Sequence, residues 1–168
     1  MEGVIQLRVL EPRDSLTLFL WDNDPELRDA QEAETPPTLS ELQAFCKEGP
    51  RALEMHGQQR WMIDFNEESI GTLELFDFHS NHQRAGIGIV IARKDFRQHG
   101  LGTQVLLEAE ELAKDFSIQQ LWAIISEGNK PSLRAFEKAG YERAGCLKKW
   151  FNIRNQFFDG ILVQKFIP

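Results

Sequence analysis

The sequence predicts a single α+β domain in which about seven strands are flanked by about four helices. Segments with alternating apolar residues outnumber segments with apolar residues every three or four positions, and the two kinds are interspersed along the chain. The length of 168 residues suits one domain with one sizeable core. Because the sequence contains no repeat, low-complexity tract or linker, residues 1–168 are expected to form one unit.

The N-terminal part predicts a strand, a helix and an acidic connection. Alternation in Val4–Leu10 indicates the strand, and Asp14 can cap a helix that covers Ser15–Trp21. Residues 22–37 are acidic and end in two prolines, so they are predicted as a loop or a frayed helix. Five acidic side chains of this stretch either belong to a solvated loop or line an acceptor cleft: Asp24, Glu26, Asp29, Glu32 and Glu34.

A second helix and three strands follow. Thr38 and Glu41 form a T-x-x-E capping box, and the helix that they open is expected to end at Gly49 and Pro50. The strands are predicted over Arg60–Phe65, Ile70–Phe78 and Arg84–Ala92. In the second strand, alternation puts Leu73, Leu75 and Asp77 on one face and Thr72, Glu74 and Phe76 on the other.

The C-terminal half alternates helices and strands. A helix that begins near Leu101 is predicted by apolar residues at helical spacing, which are Val105, Leu106, Ala109, Leu112, Ala113 and Phe116. A strand over Ile118–Glu127 and a helix over Ser132–Gly140, with Asn129 as its cap, come next. Two final antiparallel strands are expected to join near residues 152–156.

Charge and composition narrow the classes of function. The net charge of −7 and the pI of about 5.1 argue against nucleic acid as the main partner, because phosphate binding needs a basic face. No apolar run approaches the roughly 20 residues of a membrane span. The N-terminus also lacks the pattern of a signal peptide, so we expect a cytoplasmic protein with no membrane partner.

The cysteines and histidines argue against a metal site. Cys46 and Cys146 are far apart in the sequence, and two buried thiols are the simplest expectation. His79 and His82 are three residues apart, but no carboxylate or thiol joins them at a recognisable ligand spacing. We therefore expect no metal.

Two glycines stand at the start of the long helix, in the segment Arg97-Gln98-His99-Gly100-Leu101-Gly102-Thr103. A helix start offers unpaired N–H groups and a partial positive charge, and glycine lets a ligand approach the backbone. A strand, a glycine-bearing loop and a helix form the context in which such loops bind phosphates. The alternative is that both glycines only form a tight turn, and spacing alone leaves both interpretations open.

Two blocks of the sequence resemble the GNAT superfamily of N-acetyltransferases. Arg97, Gly100 and Gly102 match its R/Q-x-x-G-x-G/A signature. Its N-x-x-(S/A)-x-x-x-(Y/F)-x-K-x-G-(F/Y) block is matched at Asn129, Ser132, Phe136, Lys138, Gly140 and Tyr141. Residues 70–91 are most similar to the branch that holds spermidine/spermine and ribosomal-protein N-terminal acetyltransferases, with Glu74 and Arg84 at matching positions.

The resemblance implies a division of the domain and a cosubstrate. A mixed, mostly antiparallel sheet would carry an acceptor-side part at 1–69, an acetyl-CoA-binding core at 70–140 and C-terminal strands at 141–168. The backbone of Val90, Ile91 and Ala92 would pair with the pantetheine arm, and the pyrophosphate would lie on Gln98, His99, Gly100, Leu101, Gly102 and Thr103. Arg97 could pair with a phosphate. Asn129 and Ser132 would contact the pantetheine or the adenosine side, although both are also explained by helix capping, and Phe136 would lie near the sulfur.

The implied reaction is attack of an amine on the thioester of acetyl-CoA, for which a base and an N–H group near Val90 are expected. Glu74 is the first candidate for the base, because it interrupts a strand-forming segment with a carboxylate. The alternative for Glu74 is a place on a solvated face of the sheet. Asp77, His79 and His82 are weaker candidates for the base.

Two residues depart from the pattern of the superfamily. Phe136 stands where many members have a tyrosine that serves as the general acid, and Tyr141 is expected to pack in the core instead. Gly86 stands where relatives with the sequence RAE place a glutamate that can contact the acceptor. Both departures weaken an assignment to polyamines in particular.

Three hypotheses of function follow from the residues and the resemblance. The first is N-acetylation of a primary amine, with a polyamine or diamine as the acceptor. The second is the same chemistry on a peptide or ribosomal-protein N-terminus or on an amino sugar. The third is a non-catalytic acyl-CoA-binding regulatory module, which the loss of the tyrosine favours. Exposed C-terminal strands could also pair across a homodimer.

Overall fold

The computed structural model describes residues 3–28, 35–49 and 51–167. Its strands are β1 Ile5–Val9, β2 Gln59–Phe65, β3 Glu68–His79, β4 Arg84–Ile91, β5 Gln120–Ser126, β6 Glu142–Ile153 and β7 Gln156–Phe166. Its α-helices are α1 Ser15–Asp22, α2 Pro25–Arg28, α3 Leu39–Phe45, α4 Ala52–His56, α5 Leu101–Asp115 and α6 Lys130–Lys138. Single 3-10 turns cover Pro12–Asp14 and Lys94–Phe96.

The seven strands form one mixed sheet in the order β1-β2-β3-β4-β5-β7-β6. Every neighbouring pair is antiparallel except β4 and β5, which run parallel. The predicted α+β class and the mixed, mostly antiparallel seven-stranded sheet are therefore confirmed.

The parallel pair β4 and β5 separates after a short contact. Only Arg84, Ala85 and Gly86 of β4 pair with β5, opposite Gln120, Leu121 and Trp122. Beyond that point β4 continues as far as Ile91, paired with β3 alone. The sheet thus opens into a V between the C-terminal ends of two parallel strands.

Two apolar cores lie on opposite faces of the sheet. The larger core packs α5 and α6 against the sheet through residues that include Leu73, Leu75, Val105 and Phe136. The smaller core joins α1 and α3 to the sheet through Leu18, Leu42 and Met62. Because Leu73 and Leu75 face the α5 side, Thr72, Glu74 and Phe76 face the side of α1 and α3, as their alternation predicts.

Several elements differ from the expectations. Helix α4 was not predicted, since it is only one turn and shows no periodicity. Helix α2 is also one turn and lies within the stretch predicted as a loop or a frayed helix. Helix α3 begins with the predicted capping box but ends at Phe45, ahead of Gly49. Residues 29–34 and Pro50 lie outside the described residues, and with them three of the five acidic side chains discussed above.

Two individual residues also depart from the predictions. Asp77 does not share the buried face of Leu73 and Leu75: its φ is +47° where the β3–β4 register shifts, and its side chain is exposed. Cys146 is not a buried thiol, because β6 is an edge strand and leaves it exposed, whereas Cys46 is buried.

Candidate active site

A cavity of about 1310 Å³ opens at the V between β4 and β5. Its floor is formed by β3, β4 and β5, and its sides by α1, α3, the start of α6 and the β6–β7 hairpin. Of the site residues predicted from the sequence, Glu74, Val90, Asn129, Ser132 and Phe136 line this one space.

The described lining of the cavity is acidic and rich in aromatic rings. It holds four carboxylates and one guanidinium, a formal net charge of −3, from Asp22, Glu26, Glu41, Glu74 and Arg60. Its aromatic side chains are Trp21, Phe45, Phe76, Trp122, Phe136, Trp150, Phe151 and Phe158. Both features favour a cationic ligand with an apolar body, because carboxylates attract ammonium groups and aromatic faces stabilise them.

Glu74 lies in a row of residues that crosses three strands. It is opposite Arg60 of β2 on one side and Gly88 of β4 on the other. A side chain at Gly88 would meet no atom within 4 Å, so open space lies beside the Glu74 carboxylate. The Glu74 side chain is one-third exposed, which fits a wall of a cavity better than a solvated sheet face.

Arg60 joins Glu74 to the C-terminal turn of α1. Its Nη1 atom is 2.8 Å from Oδ2 of Asp22, and its Nη2 atom is 3.9 Å from Oε2 of Glu74. Burial acts to lower the pKa of Arg60, but the charges of Glu74 and Asp22 outweigh it and hold the pKa above the usual value. The guanidinium is therefore a permanent cation inside the acceptor side of the cavity.

The open edge of β4 presents different backbone groups from those predicted. The N–H of Ala92 donates to the carbonyl of Ile70 on β3, and the carbonyl of Gln83 accepts from the N–H of Gln120 on β5. Hydrogen bonds along a strand alternate between its two edges, so even-numbered residues of β4 face β3 and odd-numbered residues face the V. The backbone groups of Ile89 and Ile91 thus point to the open edge, whereas the prediction named Val90, Ile91 and Ala92.

Arg97 closes the end of β4. Its Nε donates to the carbonyl of Ile91 at 2.9 Å, and its Nη2 donates to the carbonyl of Ala92 at 3.0 Å. The guanidinium of Arg97 is thus used to hold the loop before α5 against the strand, which leaves it less suited to pair with a phosphate.

The loop that opens α5 presents unpaired backbone donors. Within the described parts of the chain, the N–H groups of residues 98–102 donate no backbone hydrogen bond. Gly100 is the N-cap of α5 at φ +80°, and Gln98 is also left-handed at φ +65°. Such a loop at a helix start forms a concave set of donors for an anion.

Gly102 and Thr103 face helix α6 rather than the loop. A side chain at Gly102 would lie 3.5 Å from Cβ of Ala135 and 3.6 Å from Cδ1 of Ile89, which is ordinary contact. The hydroxyl of Thr103 donates to the carbonyl of Ala135 at 3.4 Å. Both positions therefore serve the packing of α5 on α6.

The start of α6 supplies the other wall of the V. Asn129 caps the helix, and its Oδ1 accepts from the N–H of Ser132 at 3.2 Å. Phe136 lines the cavity and packs edge-on against Tyr141, with ring centroids 4.9 Å apart. Tyr141 does not line the cavity. Burial raises the pKa of its hydroxyl above the usual value. Tyr141 therefore packs in the core, as predicted.

Phe76 occupies the space above Gly86. A side chain at Gly86 would lie 2.4 Å from the Phe76 ring, which packs edge-on against Trp122 with centroids 5.4 Å apart. The Phe76 ring thus packs directly against the backbone at Gly86. An aromatic wall therefore takes the place of a carboxylate at this point of the cavity.

The weaker candidates for the base lie elsewhere. Asp77 and His79 lie at the end of β3 and His82 lies in the β3–β4 turn, and none of the three lines the cavity. The two histidine rings contact each other, with centroids 4.4 Å apart. Within the described residues, no group of three or more His, Cys, Asp or Glu side chains could hold a metal ion. No helix there is long and apolar enough to cross a bilayer.

Sequence reasoning missed Asp22 and Arg60 as members of the site. Arg60 alternates with Met62 and Asp64 on one face of β2, and Asp22 follows the predicted end of α1. A charged residue at the start of an otherwise apolar strand was the available signal. Its partner could not be read from the sequence, because Asp22 is 38 residues away.

Comparisons with known proteins identify the family of the chain. The Acetyltransferase (GNAT) domain family matches residues 5–142. The chain is 24% identical over 162 residues to spermidine N(1)-acetyltransferase of Escherichia coli (strain K12), covering 94% of this chain and 83% of that protein.

Solved structures share the fold. The spermidine N-acetyltransferase of Vibrio cholerae, solved with CoA and spermine, superposes with a TM-score of 0.86 at 18% identity, over 97% of this chain and 95% of that chain. The ribosomal L7/L12 alpha-N-protein acetyltransferase RimL, solved with coenzyme A, gives a TM-score of 0.83 at 16% identity, over 99% and 98% of the two chains. Since the family match spans most of the sequence, the chain belongs to the GNAT acetyltransferase family and is an acyltransferase.

Proposed function

We propose that the protein transfers an acetyl group from acetyl-CoA to a primary amine, with a polyamine or diamine as the acceptor. The observation that carries this proposal is the position of Glu74, on the wall of the cavity with open space beside it at Gly88. A base, a space for the amine and an unpaired strand edge then lie next to one another.

The residues present fit acetyl-CoA as the cosubstrate. Ile89 and the N–H of Ile91 face the open edge of β4, where an extended pantetheine arm would pair as a further strand. The N–H groups of residues 98–102 would hold the pyrophosphate at the start of α5. When bound, acetyl-CoA would supply the thioester that the amine attacks.

Glu74 would act as the base. A primary amine has a pKa near 10 and is mainly protonated at neutral pH, so a proton must leave before the nitrogen can attack. The Glu74 carboxylate can accept this proton directly or through one water molecule. Holding the amine beside Gly88 would supply much of the remaining rate through orientation.

Charge on the carbonyl oxygen would be stabilised by the backbone. Ile89 follows Gly88, and its N–H faces the V. This N–H group is therefore assigned as the donor to that oxygen. Phe136 cannot give a proton to the departing sulfur. Because an alkyl thiol has a pKa near 8.5, departure as a thiolate remains feasible.

The acceptor is proposed to be a polyamine or diamine because of the charge of the cavity. Its described lining has a formal net charge of −3, and eight aromatic rings contact the same space. Proteins of similar sequence and fold are spermidine acetyltransferases, which supports the same class. The closed space above Gly86 argues for fewer ionic contacts than a carboxylate there would give.

Two alternatives remain for the test to separate. A peptide N-terminus or an amino sugar would need the same base and cosubstrate, so only the acceptor differs. A regulatory module that binds acyl-CoA without turnover is favoured by Phe136, and is opposed by Glu74 and its open neighbour Gly88. Pairing of the exposed edge strand β6 in a homodimer also stays a prediction.

The experiment measures release of CoA thiol from acetyl-CoA with polyamines, diamines, amino sugars and N-terminal peptides. Efficient turnover with a polyamine or diamine is the expected result. Turnover with peptides or amino sugars alone would replace the proposed acceptor. Tight binding of acetyl-CoA without turnover on any amine would favour the regulatory module.

A further inference from the structure

We infer that Arg60 is a positioning residue for this reaction, which keeps the Glu74 carboxylate ionised and fixed beside the open space at Gly88. The inference rests on the proposed function, because it adds a second side chain to the same acceptor site. Arg60 is in register with Glu74 across β2 and β3, and an ion pair of 3.9 Å joins the two side chains.

The Arg60 guanidinium is enclosed on the acceptor side of the sheet. It lies 5.8 Å from the centre of the Phe45 ring, and its side chain is 21% exposed. Asp22, which is also nearly buried, fixes its other end at 2.8 Å. A partly buried guanidinium that is hydrogen-bonded to Asp22 has little freedom, so its charge can attract the Glu74 carboxylate to one side of the cavity.

The other ionisable groups of this region do not replace Arg60. Glu41 accepts hydrogen bonds from the backbone and hydroxyl of Thr38, which hold its pKa below the usual value. Burial raises the pKa of the Cys46 thiol, so this group is neutral near neutral pH. Arg60 is the single cation among the described side chains that line the cavity.

The three-residue cluster Asp22–Arg60–Glu74 has a formal net charge of −1. With Arg60 removed, the two carboxylates would repel each other and Glu74 would be protonated at higher pH. Arg60 therefore has a predicted effect on the pH dependence of the reaction, which a residue needed only for folding would not have.

The test compares the acidic limb of the kcat/KM profile in Arg60→Gln, Arg60→Lys and Asp22→Asn variants, with one amine as acceptor. In Arg60→Gln the limb is expected to move to higher pH, with about a tenfold loss at the acidic end and a smaller loss at the alkaline end. Arg60→Lys should restore most of the position of the limb. Asp22→Asn should move the limb to lower pH, because Glu74 then has the guanidinium to itself.

Ionisation of the amine contributes equally to every profile and cancels in the comparison. Arg51→Gln is the matched control, because Arg51 is 82% exposed and pairs only with Glu54 on its own turn. Its profile should equal that of the unmodified protein. The double variant Asp22→Asn/Arg60→Gln removes both buried charges, so it should fold even if Arg60→Gln alone does not. Its acidic limb should also lie at higher pH than that of the unmodified protein.

A folded Arg60→Gln or double variant with an unmoved limb would overturn the inference, even if kcat or the melting temperature fell. Failure of the proposed function gives a different result, since the unmodified protein would then acetylate no polyamine or diamine. Movement of the limb in opposite directions in the Arg60→Gln and Asp22→Asn variants would support the inference.

Discussion

At the scale of single residues, the proposed acceptor site depends on Glu74 and on what surrounds it. Its carboxylate has the Arg60 guanidinium on one side and open space at Gly88 on the other. A base in this position has a fixed partner and a free approach. A substitution of Glu74 should therefore change the acetyl-transfer step without changing the binding of acetyl-CoA.

Replacement of Glu74 by Gln should lower kcat by roughly 100- to 10,000-fold, because the amide cannot accept the proton of the ammonium group. The Kd for acetyl-CoA should stay unchanged, since the β4 edge and the residue 98–102 loop are untouched. Steady-state kinetics and calorimetry give the two values. Glu68→Gln on the same strand is the control, because Glu68 is exposed and lies outside the cavity. Equal losses in both variants would remove Glu74 from the mechanism.

Replacement of Phe136 by Tyr should raise kcat at and below neutral pH, because a hydroxyl on this cavity wall could protonate the departing thiolate. The gain should vanish above the thiol pKa of about 8.5. The pH profile of kcat is the measurement. Tyr141→Phe is the control and should leave kcat unchanged, since the Tyr141 hydroxyl is buried without a hydrogen-bond partner. A profile of Phe136→Tyr that matches the unmodified protein would mean that the hydroxyl does not reach the sulfur.

At the scale of elements, the two glycines at the start of α5 differ in kind. Gly100 is left-handed, whereas Gly102 is helical and packs between Ala135 and Ile89. The loop and the helix thus need glycine for different reasons. The sequence alone could not separate them, because both positions have the same residue and similar neighbours.

Gly100→Ala should destabilise the protein by about 1–2 kcal/mol, because an L residue is strained at a φ of +80°. The added methyl group would meet no atom within 4 Å, so a steric clash does not contribute. Gly102→Ala should be neutral or stabilising by up to about 1 kcal/mol, because alanine favours a helix and the methyl group would be in ordinary contact. Denaturant unfolding measures both. A larger loss in Gly102→Ala than in Gly100→Ala would contradict this assignment.

The strands were predictable because each alternates over several residues, and the capping box of Thr38 and Glu41 was predictable because its pattern is local. The edge that each backbone group of β4 faces was not predictable from the sequence. Alternation of side chains shows which face a residue occupies, but not which edge its N–H group faces. That choice follows from the pairing of Ala92 with Ile70, which is a long-range contact.

At the scale of the whole molecule, a buried ion-pair cluster ties the N-terminal strand to the sheet. Arg8 of β1 contacts Asp14 and Asp64 at 2.9 Å each, and the Asp64 carboxylate also accepts from Ser69. Hydrogen bonds to Asp14 hold the pKa of Arg8 above its usual value despite partial burial. Both carboxylates are buried, so the cluster depends on its single cation.

Arg8→Met should destabilise the protein by about 3–5 kcal/mol, because it leaves two buried carboxylates without a cation. For a chain of 168 residues this corresponds to a melting temperature lower by about 10 °C. Calorimetry gives the value. Arg13→Met is the control and should change stability by less than about 0.5 kcal/mol, since Arg13 is 71% exposed. A loss similar to that of the control would show that Arg8 has little role.

The V in the sheet has a mechanical consequence. Strands β1–β4 and the group β5, β7 and β6 meet through only three residue pairs, so the sheet is two half-sheets with a short seam. An extended pantetheine arm along Ile89 and Ile91 would continue this seam beyond Gly86, where the direct pairing of β4 with β5 ends. The cosubstrate would then serve as a removable structural strand. Its departure after each turnover would weaken the contact between the two half-sheets.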